Sequence, residues 1–436
     1  MADDPTIPDP LPTGDRPGRL GLLSRLAVDT RPLRHRDFRN LWIGQAISTL
    51  GGMIGTVAVP FQVYELTHST LAVGMLGLAA LVPLLVVPLV GGAIADAGDR
   101  RAVLLRTEVG MVAVTGVFLG NSLLPHPQVW ALYVLEAVAV SVYSLGRPAM
   151  ASLAPRLVPE DEIAAAASVQ SIYESFAAVA GPAAGGLLIA AVGISGAFAI
   201  DLATYAASLV ALSALPRIPP AEDAARVGLR SILDGFRYVR RNQPLIGIFA
   251  VDTSAMVFGM PSALFPAYAE HFGGGPSTLG YLYAAPYAGA LAGSLLSGWT
   301  THVHRYGIAI TVCASAWGAA IVGFGLVSPL WLALVFLAFA GGADFFSAVL
   351  RSTMLMRVTP DAMRGRLSGI EFTQVAGAPN LGNLEAGIVA SLFSLRAAVV
   401  SGGVLCVAGC IATALALPRF LRYDARRPAG TGAEAA

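Results

Sequence analysis

Lysine is missing from this 436-residue chain; all 28 basic residues are arginine. Charge of either sign is scarce, at 13% of residues, where a soluble domain carries about 25%. The net charge of +1 supplies no polybasic surface, so nucleic acid is not expected as a partner. Cysteine is rarer still. Cys313, Cys406 and Cys410 all sit in apolar runs, and Cys406 and Cys410 share a helix face with no histidine nearby. They read as small packing residues, which excludes a disulfide framework and a zinc site. The six histidines lie in predicted loops or the tail, and the pair His302 and His304 lacks further ligands. No H-E-x-x-H, G-x-S-x-G or G-x-x-x-x-G-K-[ST] occurs, so neither an enzyme nor an ATP-hydrolysing pump is expected, and no metal or cofactor. The opening MADDPTIPDPLPTGDRPGR has no basic stretch followed by an apolar core. It does not read as a secretory signal.

What the chain has instead is apolar length. Hydrophobic residues make up 55% and the mean hydropathy is +0.67. A bilayer core takes about 20 apolar residues per helix. Twelve segments meet or approach that length: 41–64, 71–95, 102–123, 129–151, 164–191, 194–215, 245–269, 278–299, 307–327, 330–352, 367–391 and 397–417. Lipid offers no partner to an open strand edge, so these runs are expected as helices, and their length excludes a barrel. The expected fold is an all-α membrane protein of two pseudo-symmetric six-helix bundles.

Arginine placement supports that count. The tail, the turn holding Arg100 and Arg101, Arg156, the run from Arg217 to Arg241, Arg305, the group Arg357, Arg364 and Arg366, and the residues after Arg419 all fall on one side. The opposite loops hold a single arginine, Arg396. The positive-inside rule then makes both termini cytoplasmic, in a multi-pass protein of the plasma (inner) membrane. The expected division is a disordered tail at 1–35, a bundle at 36–215, a cytoplasmic linker at 216–244, a second bundle at 245–420 and a second disordered tail at 421–436. Within the linker Leu229, Ile232, Leu233, Phe236 and Val239 recur at helical spacing among arginines, as in a helix lying on anionic lipid.

The two halves resemble each other. STLAVG at 69–74 is echoed by STLGYL at 277–282, and RLVPEDE at 156–162 by RVTPDAM at 357–363, in the same order. Repeats of this kind place a substrate cavity between the halves, near the bilayer midplane.

Residues 91–101, GGAIADAGDRR, close the second span. Gly92, Ala95, Asp96, Arg100 and Arg101 match the G-x-L-A-D-R-x-G-R-R turn of the major facilitator superfamily, which the chain resembles over nearly all of 35–420. Ala97 and Asp99 depart from that pattern. AGPAAGG at 180–186 is similar to the G-P-x-x-G-G core found in exporters of the superfamily, through Gly181, Pro182, Gly185 and Gly186. ADFFSAVLRSTM at 343–354, TPDAMRGRLSGIE at 359–371 and GNLEAG at 382–387 resemble the siderophore-exporter branch of the enterobactin-exporter type. The resemblance implies a secondary active transporter that works by alternating access, exporting a siderophore or drug-like small molecule by proton antiport. It implies that Asp96 meets the start of the eleventh span near Arg366 and Leu367 and acts there with Gly92, Arg100 and Arg101 as a latch. Small residues at 181–186 would let helices approach, and Pro182 would let the helix bend.

Charges inside the spans mark the cavity, because each costs about 2.5–3.5 kcal/mol or more at a helix centre and normally faces a partner or water. Glu174 and Asp252 are the leading candidates for proton coupling, with Glu136 and Asp344 next; Arg147 and Arg351 lie on the same helices as the last two. Glu108, Glu371 and Glu385 read as structural. Tyr173, Tyr205, Phe258, Phe265, Tyr281, Tyr283 and Tyr287 supply aromatic surface suited to a bulky aromatic substrate, or to ordinary packing. The lipid bilayer, protons and a small-molecule substrate are the expected partners. An importer, a passive channel and a membrane-embedded enzyme are the competing readings.

Overall fold

The computed structural model describes residues 29–97, 99–216 and 229–426, without the side chains of 88–97, 229–233 and 362. Among the described residues nine helical segments are long and apolar enough to cross a membrane. One of them, Glu160–Ser213, contains two rods that meet at Gly193, where φ is 74° and ψ is 176°. A residue with a side chain is strained at that φ; glycine is not. Two further helices, Pro276–Leu295 and Asp361–Leu392, have the length but are less apolar. Together these make the twelve rods that the sequence predicts.

They are α1 (Arg36–Thr67), α2 (Thr70–Ala97), α3 (Arg100–Ser122), α4 (Val129–Leu153), α5 (163–192), α6 (194–213), α7 (Gln243–Phe258, resuming as Phe265–His271), α8 (Pro276–Leu295), α9 (Tyr306–Leu326), α10 (Leu330–Val358), α11 (Asp361–Leu392) and α12 (Leu395–Ala416). Asp99 occupies the turn before α3 and accepts a hydrogen bond from the Arg101 amide at 3.0 Å. This caps the helix, which gives a role to one of the two departures from the superfamily turn.

The helices pack as α1–α6 and α7–α12, and the two halves meet along α2 with α11 and α5 with α8. Here the low hydropathy of α8 and α11 finds its reason. Both run along the junction, where Tyr283, Tyr287, Asn380 and Asn383 face a cavity and Gly280 and Gly387 face the other half. Within the first half α1 lies close on α6. A Cβ on Gly51 would come within 2.8 Å of the Asp201 Oδ1, and one on Gly44 within 3.4 Å of the Ser208 carbonyl.

The predicted seventh span is interrupted. Residues 259–264 leave the α-helix, and their polar groups are satisfied from neighbouring rods. The Trp317 indole donates to the Gly259 carbonyl at 3.1 Å, and the Ala263 amide donates to the Asn383 Oδ1 at 3.0 Å. Non-helical backbone is tolerated at membrane depth only under such cover.

Parts of the predicted tails are ordered. Arg31–Arg34 form a 3-10 turn with Pro32 buried. Beyond α12, Phe420 is fully buried, and the Ala425 amide donates to the His304 carbonyl at 2.9 Å. The chain stays ordered there because an apolar side chain has a slot to fill. Residues 1–28 and 427–436 lie outside the described residues.

In the linker, Leu229–Arg240 is helical, as the spacing predicts, and 217–228 lie outside the described residues. Its Val239 is buried and its Phe236 half exposed. Gly235 lies against Ile370 and Arg366 of α11, and Asp234 pairs with Arg366 at 3.8 Å. The helix therefore rests on α11.

Candidate functional site

The arginine-poor ends of the two halves touch. A Cβ on Gly74 would lie 2.7 Å from the Asn383 carbonyl oxygen, and one on Gly77 2.6 Å from that of Asn380. Across the other junction a Cβ on Gly186 would lie 2.7 Å from the Gly280 Cα. Glycine at these crossings lets one backbone rest on another. The Tyr64 hydroxyl donates to Glu270 at 2.9 Å, adding a polar tie between the halves at the same end.

Below this closure lies a cavity of about 760 Å³. Val59, Val73, Tyr283 and Asn383 line its closed end, while Leu104, Met150, Ala151 and Gln170 line it toward the arginine-rich face. Of the candidate charges, Glu136, Arg147 and Glu174 line this cavity. Arg147 is exposed, stacks 5.8 Å over the Tyr143 ring, and reaches within 6.0 Å of the Phe372 ring of the other half. Glu174 is exposed and lies 3.4 Å from the Gln170 amide. Tyr173, Tyr205, Tyr283 and Tyr287 line the cavity as well; Phe258, Phe265 and Tyr281 do not. Phe265 instead packs edge-on against Tyr283 at 5.0 Å.

Asp252, Asp344 and Arg351 come together elsewhere, in a cavity of about 360 Å³ between α7, α10 and α11. Arg351 pairs with Asp252 at 2.8 Å and with Asp344 at 3.8 Å, and donates to the Ser347 hydroxyl at 2.8 Å. Arg351 and Asp252 are both buried. One guanidinium thus serves two carboxylates, which offsets part of the cost of burying Asp252. Beside it Glu371 accepts from the Ser352 hydroxyl at 2.8 Å.

The side chains of Gly92 and Asp96 lie outside the described residues. Arg100 is buried, and its Nε has no hydrogen-bond partner among the described residues. Arg101 donates to the Ser213 carbonyl at 2.6 Å, a bond to α6 within its own half. The carbonyls at a helix end are themselves unpaired acceptors, which suits them to a guanidinium. Arg366, the expected neighbour of Asp96, pairs with the linker's Asp234.

The motif at 181–186 serves close packing. Gly181 faces Met53 and Gly185 faces Ile54 on α1, while Gly186 faces α8. Helical φ and ψ persist through Pro182, and the break falls at Gly193.

Two carboxylates stand out that the sequence reading misses or sets aside. Asp201, mid-span in α6, and Glu108, in α3, are both buried and both line the larger cavity. Glu108 accepts from the Gln45 amide at 3.0 Å. A signal for Asp201 is present in the chain: a lone acid in the apolar run FAIDLATYA.

Residues 27–428 match the family described as Transmembrane secretion effector. The enterobactin exporter EntS of Escherichia coli O1:K1 is 32% identical over 408 residues, covering 92% of this chain and 96% of its own. The enterobactin exporter of Escherichia fergusonii matches to the same extent. Among solved structures, the nucleoside transporter NupG superposes with a TM-score of 0.71 at 14% identity, over 89% of this chain and 99% of its own. A bacterial homolog of the human lysosomal transporter Spinster, inward-facing and unoccupied, gives 0.67 at 14% identity, over 90% and 97%. These two share the fold. The family and its relatives are transporters rather than enzymes. The chain belongs to the transmembrane secretion effector family, within the major facilitator superfamily.

Proposed function

We propose that this transporter exports a small aromatic molecule of the siderophore or drug-like kind, in exchange for protons, across the inner membrane with both termini in the cytoplasm. The observation that carries the reading is the cavity of about 760 Å³ at the junction of the halves, shut at the arginine-poor end. Its volume falls in the usual range for small-molecule sites, about 300–1,000 Å³. Five tyrosines offer flat surface to an aromatic ring, and Arg147 and Glu174 stand where cargo would enter from the arginine-rich side. By the positive-inside rule that side is the cytoplasm. The similarity to the enterobactin exporters supports a siderophore as cargo.

Alternating access then requires the glycine crossings to part and the arginine-rich ends to close. Asp96, with Gly92, Arg100 and Arg101, is the proposed latch for that second state, in which its carboxylate would meet the positive end of α11. A carboxylate so placed contributes about 0.3–1 kcal/mol, rising to about 2 when partly buried. Glu136 and Glu174 in the larger cavity, and Asp252, Asp344 and Arg351 in the smaller one, are the proposed coupling and substrate charges. Binding of proton or cargo can shift the access equilibrium only through different affinity for the two states.

Everted vesicles containing the full chain test this with a radiolabelled catecholate siderophore as probe. Uptake should follow an imposed proton gradient, collapse with a protonophore, and fall at least about tenfold in Asp96→Asn, a loss of about 1.4 kcal/mol. Uptake that ignores the gradient would remove proton exchange, and catecholate exclusion with uptake of a cationic dye would remove the siderophore reading.

A further inference from the structure

We propose that the seam between α1, α3 and α6 is a proton-binding site in which Glu108 and Asp201 carry the proton exchanged for cargo. The inference rests on the export reading above for its use, though not for its test. Two features of the seam carry it.

The first is the lack of a counter-charge. Among the described residues neither Glu108 nor Asp201 takes part in an ion pair. A buried acid without a cation must be neutralised in some other way, and a proton is the simplest ligand that does it. The second is a surplus of acceptors and hydroxyls within reach. The Glu108 Oε2, the Asp201 Oδ1 and the Ser208 Oγ are all buried and all lack a hydrogen-bond partner among the described residues. Glu108 and Asp201 are 5% exposed and Ser208 is fully buried. The Ser48 and Ser208 hydroxyls both lie within interaction range of the Glu108 carboxyl. The Ser48 and Ser208 hydroxyls beside the Glu108 carboxyl, and the unpaired Oδ1 of Asp201, leave room for an added proton at either acid.

The charged and titratable groups around the seam leave this picture intact. Helix α1 contributes Gln45 and Ser48, which do not titrate; α6 contributes Tyr205 beside Asp201; α4 contributes Glu136, Tyr143 and Arg147; α5 contributes Tyr173 and Glu174. Arg147, the one cation on that wall among the described residues, is engaged with Tyr143. The seam also opens on the larger cavity, because Gln45, Ser48, Glu108, Asp201 and Tyr205 all line it. Proton and cargo would therefore share one water-accessible space, which is what exchange requires.

A distance measurement tests this without any cargo. Spin labels are placed at Leu124 and Ser328, in arginine-poor loops of the two halves, on the full chain with its cysteines replaced by alanine. Lowering the pH at constant sodium should move the label-to-label distribution in the parent. Glu108→Gln should hold one distribution at every pH, Asp201→Asn should narrow the response, and Glu108→Asp should restore it. Glu385→Gln, remote from the seam, should respond like the parent. A parent indifferent to pH, variants at both seam acids that respond normally, or a shift produced by sodium alone would overturn the site. Because no cargo is present, failure here leaves the export reading standing, and failed export leaves this result standing.

Discussion

Glu108 and Asp201 of the first half are buried on the larger cavity, while in the second half Asp252 is buried and Asp344 partly exposed on the smaller one, and the two halves treat these acids in opposite ways. In the second half Arg351 stands between Asp252 and Asp344, at 2.8 and 3.8 Å. In the first half Glu108 has the Gln45 amide and the Ser48 and Ser208 hydroxyls for neighbours and Asp201 the Thr204 hydroxyl, and neither is in an ion pair among the described residues. A buried guanidinium beside a carboxylate favours the charged form and ties together the helices that carry the two. One without such a tie is free to change its charge. The repeat unit that the sequence reveals twice has thus diverged into one half braced by charge and one half left with unpaired acids.

The strongest way to break the contrast is to remove the brace. Arg351→Ala leaves Asp252 buried with no partner, and loss of one member of a buried pair costs about 3–5 kcal/mol. The purified variant should aggregate or melt far below the parent in detergent. Arg351→Met combined with Asp252→Leu should recover most of the loss, because the one acid left without its cation, Asp344, is partly exposed. If Arg351→Ala melts like the parent, the cluster is not a brace.

The second test concerns the closed end. Gly186→Val sets a side chain against the Gly280 backbone, which has no room to yield. Overpacking of this kind costs about 1–3 kcal/mol, and here the cost falls only on the state in which α5 and α8 touch. The population should shift by about tenfold or more toward the open arginine-poor end, read as faster thiol labelling of a cysteine introduced at Asn383. Gly280→Val should act in the same direction. Unchanged labelling in both would mean that the crossings do not hold this end shut.

The third sharpens the comparison itself. Asp201→Asn breaks no ion pair, so folding stability should change by less than about 1 kcal/mol or rise. Asp252→Asn leaves Arg351 with only the more distant Asp344 and should cost about 1–3 kcal/mol. Equal melting shifts for the two would erase the distinction.

Much of this architecture is legible in the chain, for reasons the bilayer supplies. The span count follows from apolar length, and the observed helix ends fall within several residues of the predicted ones. The repeat STLAVG and STLGYL lies at the starts of α2 and α8, the helices that supply Gly74 and Gly280 to the two crossings. Features that depend on three-dimensional pairing are not legible. Asp252 and Arg351 are far apart in sequence, and nothing local announces their contact. The interruption of α7 at 259–264 is stabilised by Trp317 and Asn383 from other rods, so the segment alone reads as continuous. Glu108 reads as structural because its depth in α3 is visible while its missing partner is not. Asp201 is absent from the sequence-derived candidates although its position, mid-span and isolated, carries the same signal as Asp252.

The smallest expected effect tests whether the linker helix belongs to the bracing half. Asp234 meets Arg366 at 3.8 Å, with both side chains partly exposed, and Asp234 also pairs with Arg237 one turn on at 3.3 Å. Exposed pairs contribute about 0–1 kcal/mol and are screened by salt. Asp234→Ala should therefore leave melting almost unchanged. Gly235 is a different matter, because a Cβ there would lie 2.8 Å from the tip of the Ile370 side chain. Gly235→Val should lift the helix off α11 and speed proteolysis within the linker severalfold, while Asp234→Ala should do so only slightly and less still at high salt. If both variants are cut like the parent, the helix is not held on α11 by this contact, and the second half is braced by Arg351 without help from the linker.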